Sequence, residues 1–166
     1  MRIQSFNGPP VQRPVRDAVQ AFRSEPAGAL RGLVLDLRGT LGGRLRDARA
    51  TARELSDSEA PPVAVLVDSR TASASEFLTA QLRGGSAGGS AEGAAVVVSC
   101  GDEPPAARTY GKAEEQEAIE LSDGGALLLT TSRWGPPGFA GVAADVLCGS
   151  DGRPRPAVGS GLAVAG

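Results

Sequence analysis

Apolar and polar positions along the chain follow two different periods. Continuous apolar runs rich in β-branched residues predict three buried strands, at 32–37, 62–67 and 94–99. Apolar residues at helical spacing predict three helices, at 11–24, 44–55 and 77–83. Because strands and helices follow one another in turn, the pattern predicts an α/β fold whose parallel strands are joined by right-handed crossovers.

The segments between and beyond these elements give weaker signals. Residues 1–6 alternate weakly and predict a short strand, and 142–147 predict another. The runs 117–121 and 126–132 flank a Ser-Asp-Gly-Gly turn, which predicts a β-hairpin.

The chain fits a single domain. Its 166 residues can bury a genuine core, which we assign to 1–150. The low-complexity run at 84–93 predicts a flexible Gly/Ser-rich insertion within that core, and 151–166 predict a disordered tail. The chain opens on a strand-like segment without a signal peptide, and no stretch approaches the length of a transmembrane helix. We therefore expect either a cytosolic protein or a fragment of a longer one.

Composition excludes several kinds of function. The net charge of −2 gives no electrostatic footprint for nucleic acid or an acidic membrane surface. The absence of histidine excludes a Ser-His-Asp triad, a Cys-His dyad and every zinc site that needs imidazole. Two cysteines, Cys100 and Cys148, do not make a metal cluster, and their number allows one disulfide without establishing it.

Ser73 is the first candidate for chemistry. It lies in Thr-Ala-Ser-Ala-Ser-Glu, between the apolar run at 62–67 and the helical pattern at 77–83. A serine at a strand-to-helix junction has free backbone N–H groups beside its hydroxyl, which suits a nucleophile. The alternative is an ordinary helix cap, because Ser73 and Glu76 have the spacing of a capping box.

Lys112 is the second candidate, because a serine nucleophile without histidine needs another base. A neutral lysine amine can serve, and Lys112 is the only lysine in the sequence. Gln116 would lie on the same side of a helical segment and could orient the amine. Against this, Glu114 and Glu115 favour the charged amine, and a lone lysine after a glycine is usually a solvated turn residue.

The pair Gly42-Gly43 is the third candidate. Glycines let backbone N–H groups approach a developing oxyanion closely, so this turn suits an oxyanion hole. A plain strand-to-helix turn explains the same two residues equally well.

Together these segments resemble the catalytic domain of the carboxy-terminal processing, or tail-specific, proteases, which are serine peptidases with a Ser-Lys dyad. The resemblance rests on the blocks 1–6, 32–43, 63–76, 108–116 and 121–127. It implies an α/β spiral of strands and helices related to the crotonase and ClpP group. The block 141–148 is similar to that of plant and algal members, which trim the D1 reaction-centre protein in the thylakoid lumen.

The resemblance implies a role for each candidate residue. It makes Ser73 the nucleophile, Lys112 the general base and Gln116 the hydrogen-bond partner of the lysine. It assigns the oxyanion hole to two backbone N–H groups, those of Ala74 and of either Gly42 or Gly43.

The resemblance further implies a serine endopeptidase that cleaves near the free C-terminal tail of a protein such as the D1 precursor. No cofactor and no nucleic acid are expected, and contact with a membrane is at most peripheral. The implied location is the thylakoid lumen of the chloroplast, or alternatively the bacterial periplasm.

The chain departs from the family pattern in three ways. It has no PDZ domain, it lacks the strands that usually follow the helix at 44–55, and it separates Ser73 from Lys112 by more residues than is usual in the family. Two alternatives stay open: a non-catalytic peptide- or lipid/retinoid-type binding domain, and an incomplete family fragment.

Overall fold

The computed structural model of the chain describes residues 1–8, 11–26, 31–56, 61–84, 95–100, 107–149 and 153–157. Helices and strands alternate along these ranges. In chain order the elements are α1 (Gln12–Ser24), β1 (Leu33–Asp36), α2 (Leu45–Leu55), β2 (Val63–Val67), α3 (Ala74–Gly84), β3 (Val96–Cys100), β4 (Glu114–Glu120), β5 (Ala126–Arg133), β6 (Val146–Cys148) and β7 (Pro154–Pro156).

The main sheet has the strand order β1-β2-β3-β6-β7. Strands β1, β2, β3 and β6 are mutually parallel, and β7 pairs antiparallel with β6. Strands β4 and β5 form a separate antiparallel hairpin whose side chains are mostly exposed. The predicted α/β fold with a parallel sheet is therefore confirmed.

The core lies between this sheet and the helices. Leu35, Val65 and Val97 are neighbours across β1, β2 and β3, and all three are fully buried. Val15 of α1 and Leu78 of α3 are also fully buried and belong to the same apolar core. Burial of such side chains is the main favourable term in folding, and it explains why the apolar periods located these elements.

The weaker sequence signals had mixed outcomes. The predicted strand at 1–6 forms only two single parallel bridges, from Arg2 to Asp36 and from Phe6 to Gly43. In the tail, which we predicted to be disordered, β7 pairs with β6, while 151–152 and 158–166 lie outside the described residues. The predicted insertion also lies outside them, apart from Gly84 and the other residues that end α3.

The open question of a disulfide is answered at β6. Cys148 is disulfide-bonded, and the main chain of Cys100, the other cysteine of the sequence, pairs with it across β3 and β6. Among the helices that the structure describes, none has the length and apolar character needed to cross a membrane.

An ion pair holds the carboxyl end of β1. Arg38 donates from Nε to Asp36 Oδ1 and from a terminal nitrogen to Oδ2, both at 2.9 Å. These side-chain hydrogen bonds are the main reason why the pKa of Asp36 is lowered to about 2. The charged pair therefore stabilises the start of the turn that leads to Gly42 and Gly43.

Replacing Asp36 by asparagine is expected to lower the free energy of unfolding by about 1 kcal/mol at neutral pH, because Arg38 is 40% exposed and solvent screens the pair. Because the folded-state pKa is depressed, this stabilisation is present above pH 3.8, the ordinary value, and is lost as the pH falls through about 2. Urea unfolding of both proteins from pH 7 to pH 2 checks this. A difference that stays constant across that range would contradict it.

Candidate active site

Two turns meet at the carboxyl ends of β1 and β2. Because parallel neighbouring strands end at the same edge of a sheet, the Gly42-Gly43 turn after β1 lies beside the Ser73 turn after β2. The N–H of Ala72 donates to the carbonyl of Thr40 at 2.9 Å and joins the two turns. The contact is close at Gly42, where a Cβ would lie 2.9 Å from the Cβ of Ser73.

Ser73 has an unusual backbone conformation. Its φ of 55° is the only positive value at a non-glycine residue in the part of the chain that the structure describes. This left-handed conformation costs a residue with a Cβ about 1–2 kcal/mol. Strain of this kind is often found where a side chain is presented for function.

The capping box predicted at Ser73 is half formed. The Ser73 N–H donates to Glu76 Oε2 at 2.8 Å, as in such a box. The Glu76 N–H, however, donates to the Ser73 carbonyl at 2.9 Å rather than to its hydroxyl. Ser73 Oγ makes no hydrogen bond to any of the residues that the structure describes. The same serine therefore has a capped backbone N–H and a free hydroxyl.

The strain at Ser73 is testable through stability. Ser73→Gly is expected to be about 1 kcal/mol more stable than Ser73→Ala. Glycine adopts a positive φ without a steric penalty, whereas the Cβ of alanine still pays that penalty. Chemical denaturation of the two variants measures the difference. Equal stabilities would show that the turn is not strained.

Lys112 lies just before β4, where the hairpin begins. Its Nζ donates to Gln116 Oε1 at 3.0 Å. The neighbouring carboxylates are engaged elsewhere, since Glu114 forms an ion pair with Arg133 at 2.9 Å and Glu115 accepts from the Ser132 hydroxyl at 2.7 Å. The sequence suggested that Glu114 and Glu115 would contact the Lys112 amine, but both carboxylates bond to residues across the hairpin instead.

The route by which Gln116 reaches the amine differs from the one expected. We considered a helical segment, but Gln116 belongs to strand β4. The register between β4 and β5 shifts between Glu115 and Gln116, where Thr131 of β5 is an extra residue in the partner strand. The side chains of Lys112 and Gln116 therefore meet four residues apart without a helical turn between them.

A single cleft brings the candidates together. It has a volume of about 790 Å³, and its lining includes Ser73, Lys112, Gln116 and Gly43. Leu128 of the hairpin adds apolar surface to the same lining and is itself 62 % exposed. The cleft therefore holds a hydroxyl, an amine with its amide partner and a backbone turn, open to an extended ligand.

The orientation of the glycine turn distinguishes its two residues. The carbonyl of Gly42 accepts from the Phe6 N–H at 2.9 Å, and the Arg44 N–H donates to the Phe6 carbonyl at 3.2 Å. In a parallel bridge of this kind, the N–H of the middle residue, Gly43, points away from Phe6. The N–H of Ala74, the first residue of α3, belongs to the helix N-terminus, whose N–H groups lack partners within the helix.

Glu76 is the site residue whose role sequence reasoning missed. We assigned it only to a helix cap, but its fully buried carboxylate also accepts from residues of the segment 109–112. The capping spacing was a visible signal. The contact across more than thirty residues left none in the pattern.

An aromatic cluster of Trp134, Phe77 and Phe139 packs beside the segment that carries Lys112. The N–H of Trp134 donates to the carbonyl of Ala113 at 3.0 Å. The Trp134 ring packs edge-on against Phe77 at 5.6 Å and against Phe139 at 4.9 Å between ring centroids. This cluster ties the residue after Lys112 to helix α3, which begins beside Ser73.

Comparison with known proteins agrees with the resemblance in sequence. No protein-family model matches the chain. The chain is 30% identical over 166 residues to the chloroplastic C-terminal processing peptidase of Tetradesmus obliquus, covering 86% of this chain and 32% of that protein. It is also 30% identical over 153 residues to the chloroplastic carboxyl-terminal-processing peptidase 2 of Arabidopsis thaliana, covering 77% of this chain and 26% of that protein.

Solved structures support the same relationship. The photosystem II D1 C-terminal processing protease superposes with a TM-score of 0.63 and 27% sequence identity, over 88% of this chain and 41% of that chain. A lipoprotein from Streptococcus agalactiae superposes with a TM-score of 0.54 at 18% identity, over 90% of this chain and 60% of that chain, which shows a shared fold alone.

The match is partial, because the chain spans less than a third of the length of each of these two curated relatives. The mixed α/β fold with its parallel sheet is similar to that of the D1 processing protease. The resemblance predicted from the sequence is confirmed, and the chain is a relative of the C-terminal processing peptidases that matches part of their length.

Proposed function

We propose that this chain is a serine-type endopeptidase unit that cleaves near the C-terminus of protein substrates. The observation that carries the proposal is the cleft that joins Ser73 to the hydrogen-bonded pair of Lys112 and Gln116. A serine hydroxyl in a strained turn, with an amine in the same cleft, suits acyl transfer without histidine. The processing activity of its longer relatives supports this reaction class.

In the proposed mechanism, Lys112 acts as the general base. Its neutral amine accepts the proton of Ser73 as the hydroxyl attacks the scissile carbonyl, and it then returns a proton to the leaving amine. Gln116 holds the amine through a neutral hydrogen bond, which favours its charged form less than a carboxylate would. The engagement of Glu114 and Glu115 across the hairpin supports this assignment.

The developing oxyanion needs hydrogen-bond donors, and we assign them to the N–H groups of Ala74 and Gly43. The sequence left Gly42 and Gly43 as alternatives. Gly43 is favoured because its N–H points away from Phe6 and because it lines the cleft. Gly42 has a spacing role instead, since a side chain there would collide with the Ser73 turn. Two such donors contribute several kcal/mol to transition-state stabilisation.

The proposal extends to architecture and setting. We propose that residues 1–150 are a catalytic core of the spiral type related to the crotonase and ClpP group, with the low-complexity run at 84–93 as an insertion. A substrate with a free C-terminal tail, such as the D1 precursor, fits the name of the structural neighbour. The chloroplastic relatives favour the chloroplast, and the disulfide at Cys148 favours an oxidising compartment such as the thylakoid lumen.

The proposed activity is tested by incubating the chain with an unstructured peptide that ends in a free carboxylate. Mass spectrometry of the products identifies the bond that is cut. We expect cleavage at one or a few bonds near the C-terminus, and no cleavage of the same peptide when its tail is blocked by fusion to a folded domain. Retention of an apolar ligand without any cleavage would favour the binding-domain alternative instead.

A further inference from the structure

The carboxylate of Glu76 connects the two halves of the proposed dyad. Oε2 accepts the N–H groups of Ser73 and Lys112, each at 2.8 Å. Oε1 accepts the Gly111 N–H at 2.6 Å and the Thr109 hydroxyl at 2.5 Å. One fully buried side chain thus bonds to the backbone of the nucleophile and to the backbone of the base.

This arrangement explains how a charge is tolerated in the interior. A buried carboxylate without donors is strongly unfavourable, whereas four donors replace the water that it loses. The donors come from α3's start and from the segment 109–112, which belong to no common strand pairing. A further backbone bond, from the Tyr110 N–H to the Thr71 carbonyl at 2.9 Å, joins the same two segments.

Thr109 sets the orientation of this carboxylate. Its hydroxyl proton is donated to Glu76 Oε1, and its oxygen accepts the Val142 N–H at 2.7 Å. The hydroxyl therefore has one defined direction, in a side chain that is 4% exposed. By holding Oε1 toward Gly111, it leaves Oε2 free to accept from Ser73 and Lys112 together.

We propose that Thr109, acting through Glu76, is a positioning residue that fixes Lys112 relative to Ser73. The inference rests on the proposed function, because it assigns a purpose to the geometry of the dyad. Thr109 is absent from the lining of the cleft, among the residues that the structure describes, and acts only through the carboxylate. A residue with a merely structural role would change stability and leave the turnover of folded molecules unchanged.

Three variants of the full chain separate these roles. Thr109→Val keeps the shape of the side chain but removes its hydroxyl, whereas Thr109→Ser keeps the hydroxyl. Thr51→Val is the matched control, because the hydroxyl of fully buried Thr51 bonds to the Asp47 carbonyl within α2, at 2.9 Å. We expect kcat to fall about tenfold in Thr109→Val with KM within about twofold, and to stay near wild type in the other two.

Amide hydrogen exchange measured by NMR provides a readout that does not depend on activity. In Thr109→Val we expect Gly111 and Lys112 to exchange at least about tenfold faster, relative to the core amide of Val65. In Thr109→Ser and Thr51→Val we expect the protection of wild type. This comparison cancels any general loss of stability, since Val65 reports that loss.

Two results would overturn the inference. One is unchanged protection of Gly111 and Lys112 in Thr109→Val. The other is a fall in kcat that Thr51→Val reproduces at equal stability. Absence of turnover in the wild-type chain would count against the proposed function, and the exchange data would then still decide whether Thr109 holds the lysine segment in place.

Discussion

Replacing Ser73 by alanine is expected to abolish peptide hydrolysis, with kcat falling on the order of 10³-fold or more. The proposed reaction has no other nucleophile, because the hydroxyl of Ser73 is the group that forms the acyl intermediate. Replacing Lys112 by arginine is expected to have a comparable effect. Arginine keeps the positive charge but cannot become a neutral base.

The two losses are expected to be non-additive. Once either member of the dyad is removed, the other has no partner, so the double variant should be about as inactive as each single one. Ser75→Ala is the matched control, because the Ser75 hydroxyl is buried without a hydrogen-bond partner among the described residues. Peptide hydrolysis followed by mass spectrometry compares these four variants with the wild type. Substantial turnover in Ser73→Ala would exclude the mechanism.

Replacing Gly42 by alanine is expected to lower kcat at least about 100-fold and the free energy of unfolding by about 3 kcal/mol. A Cβ at this position would lie 2.6 Å from the Ala72 carbonyl oxygen and 2.8 Å from the Ala74 nitrogen. Both contacts are with backbone, so the Ser73 turn must move. The φ of +92° adds strain for any residue with a side chain.

Gly39→Ala is the control for this substitution. Gly39 also has a positive φ, +70°, but a Cβ there would meet no atom within 4 Å. The Gly39→Ala variant is expected to lose about 1 kcal/mol of stability, from backbone strain alone, and to keep the kcat of wild type. Urea unfolding and peptide hydrolysis of both variants provide the comparison. Similar activity in the two variants would show that the contact of Gly42 with the Ser73 turn has no part in turnover.

The elements that could be predicted from sequence are those that bury an apolar face. Helices α1 and α2 begin one residue after the predicted starts and end at the predicted residues, because their apolar stripes extend from end to end. Strand β4 begins at Glu114, three residues before the predicted start. Its first residues are polar and half-buried or exposed, so pairing with β5 rather than full burial makes them a strand.

The candidate site could be proposed from the sequence as a set of residues but not as a geometry. Ser73, Lys112 and Gln116 could be named from residue type and spacing, and the same cleft receives all three. The choice between Gly42 and Gly43 depends on a bridge to Phe6, which no local pattern reveals. The partners of Glu76 at 109–112 depend on long-range packing in the same way.

In the proposed mechanism, Ser73 attacks a carbonyl with Lys112 as its base. The most direct measurement is to mix the chain with an activated ester of a short C-terminal peptide, quench early and locate the acyl group by mass spectrometry. We expect one acyl group on the fragment that contains Ser73, formed at least about 100-fold more slowly in Lys112→Arg. Hydrolysis that proceeds with the acyl group on another residue, or at the same rate in Lys112→Arg, would contradict it.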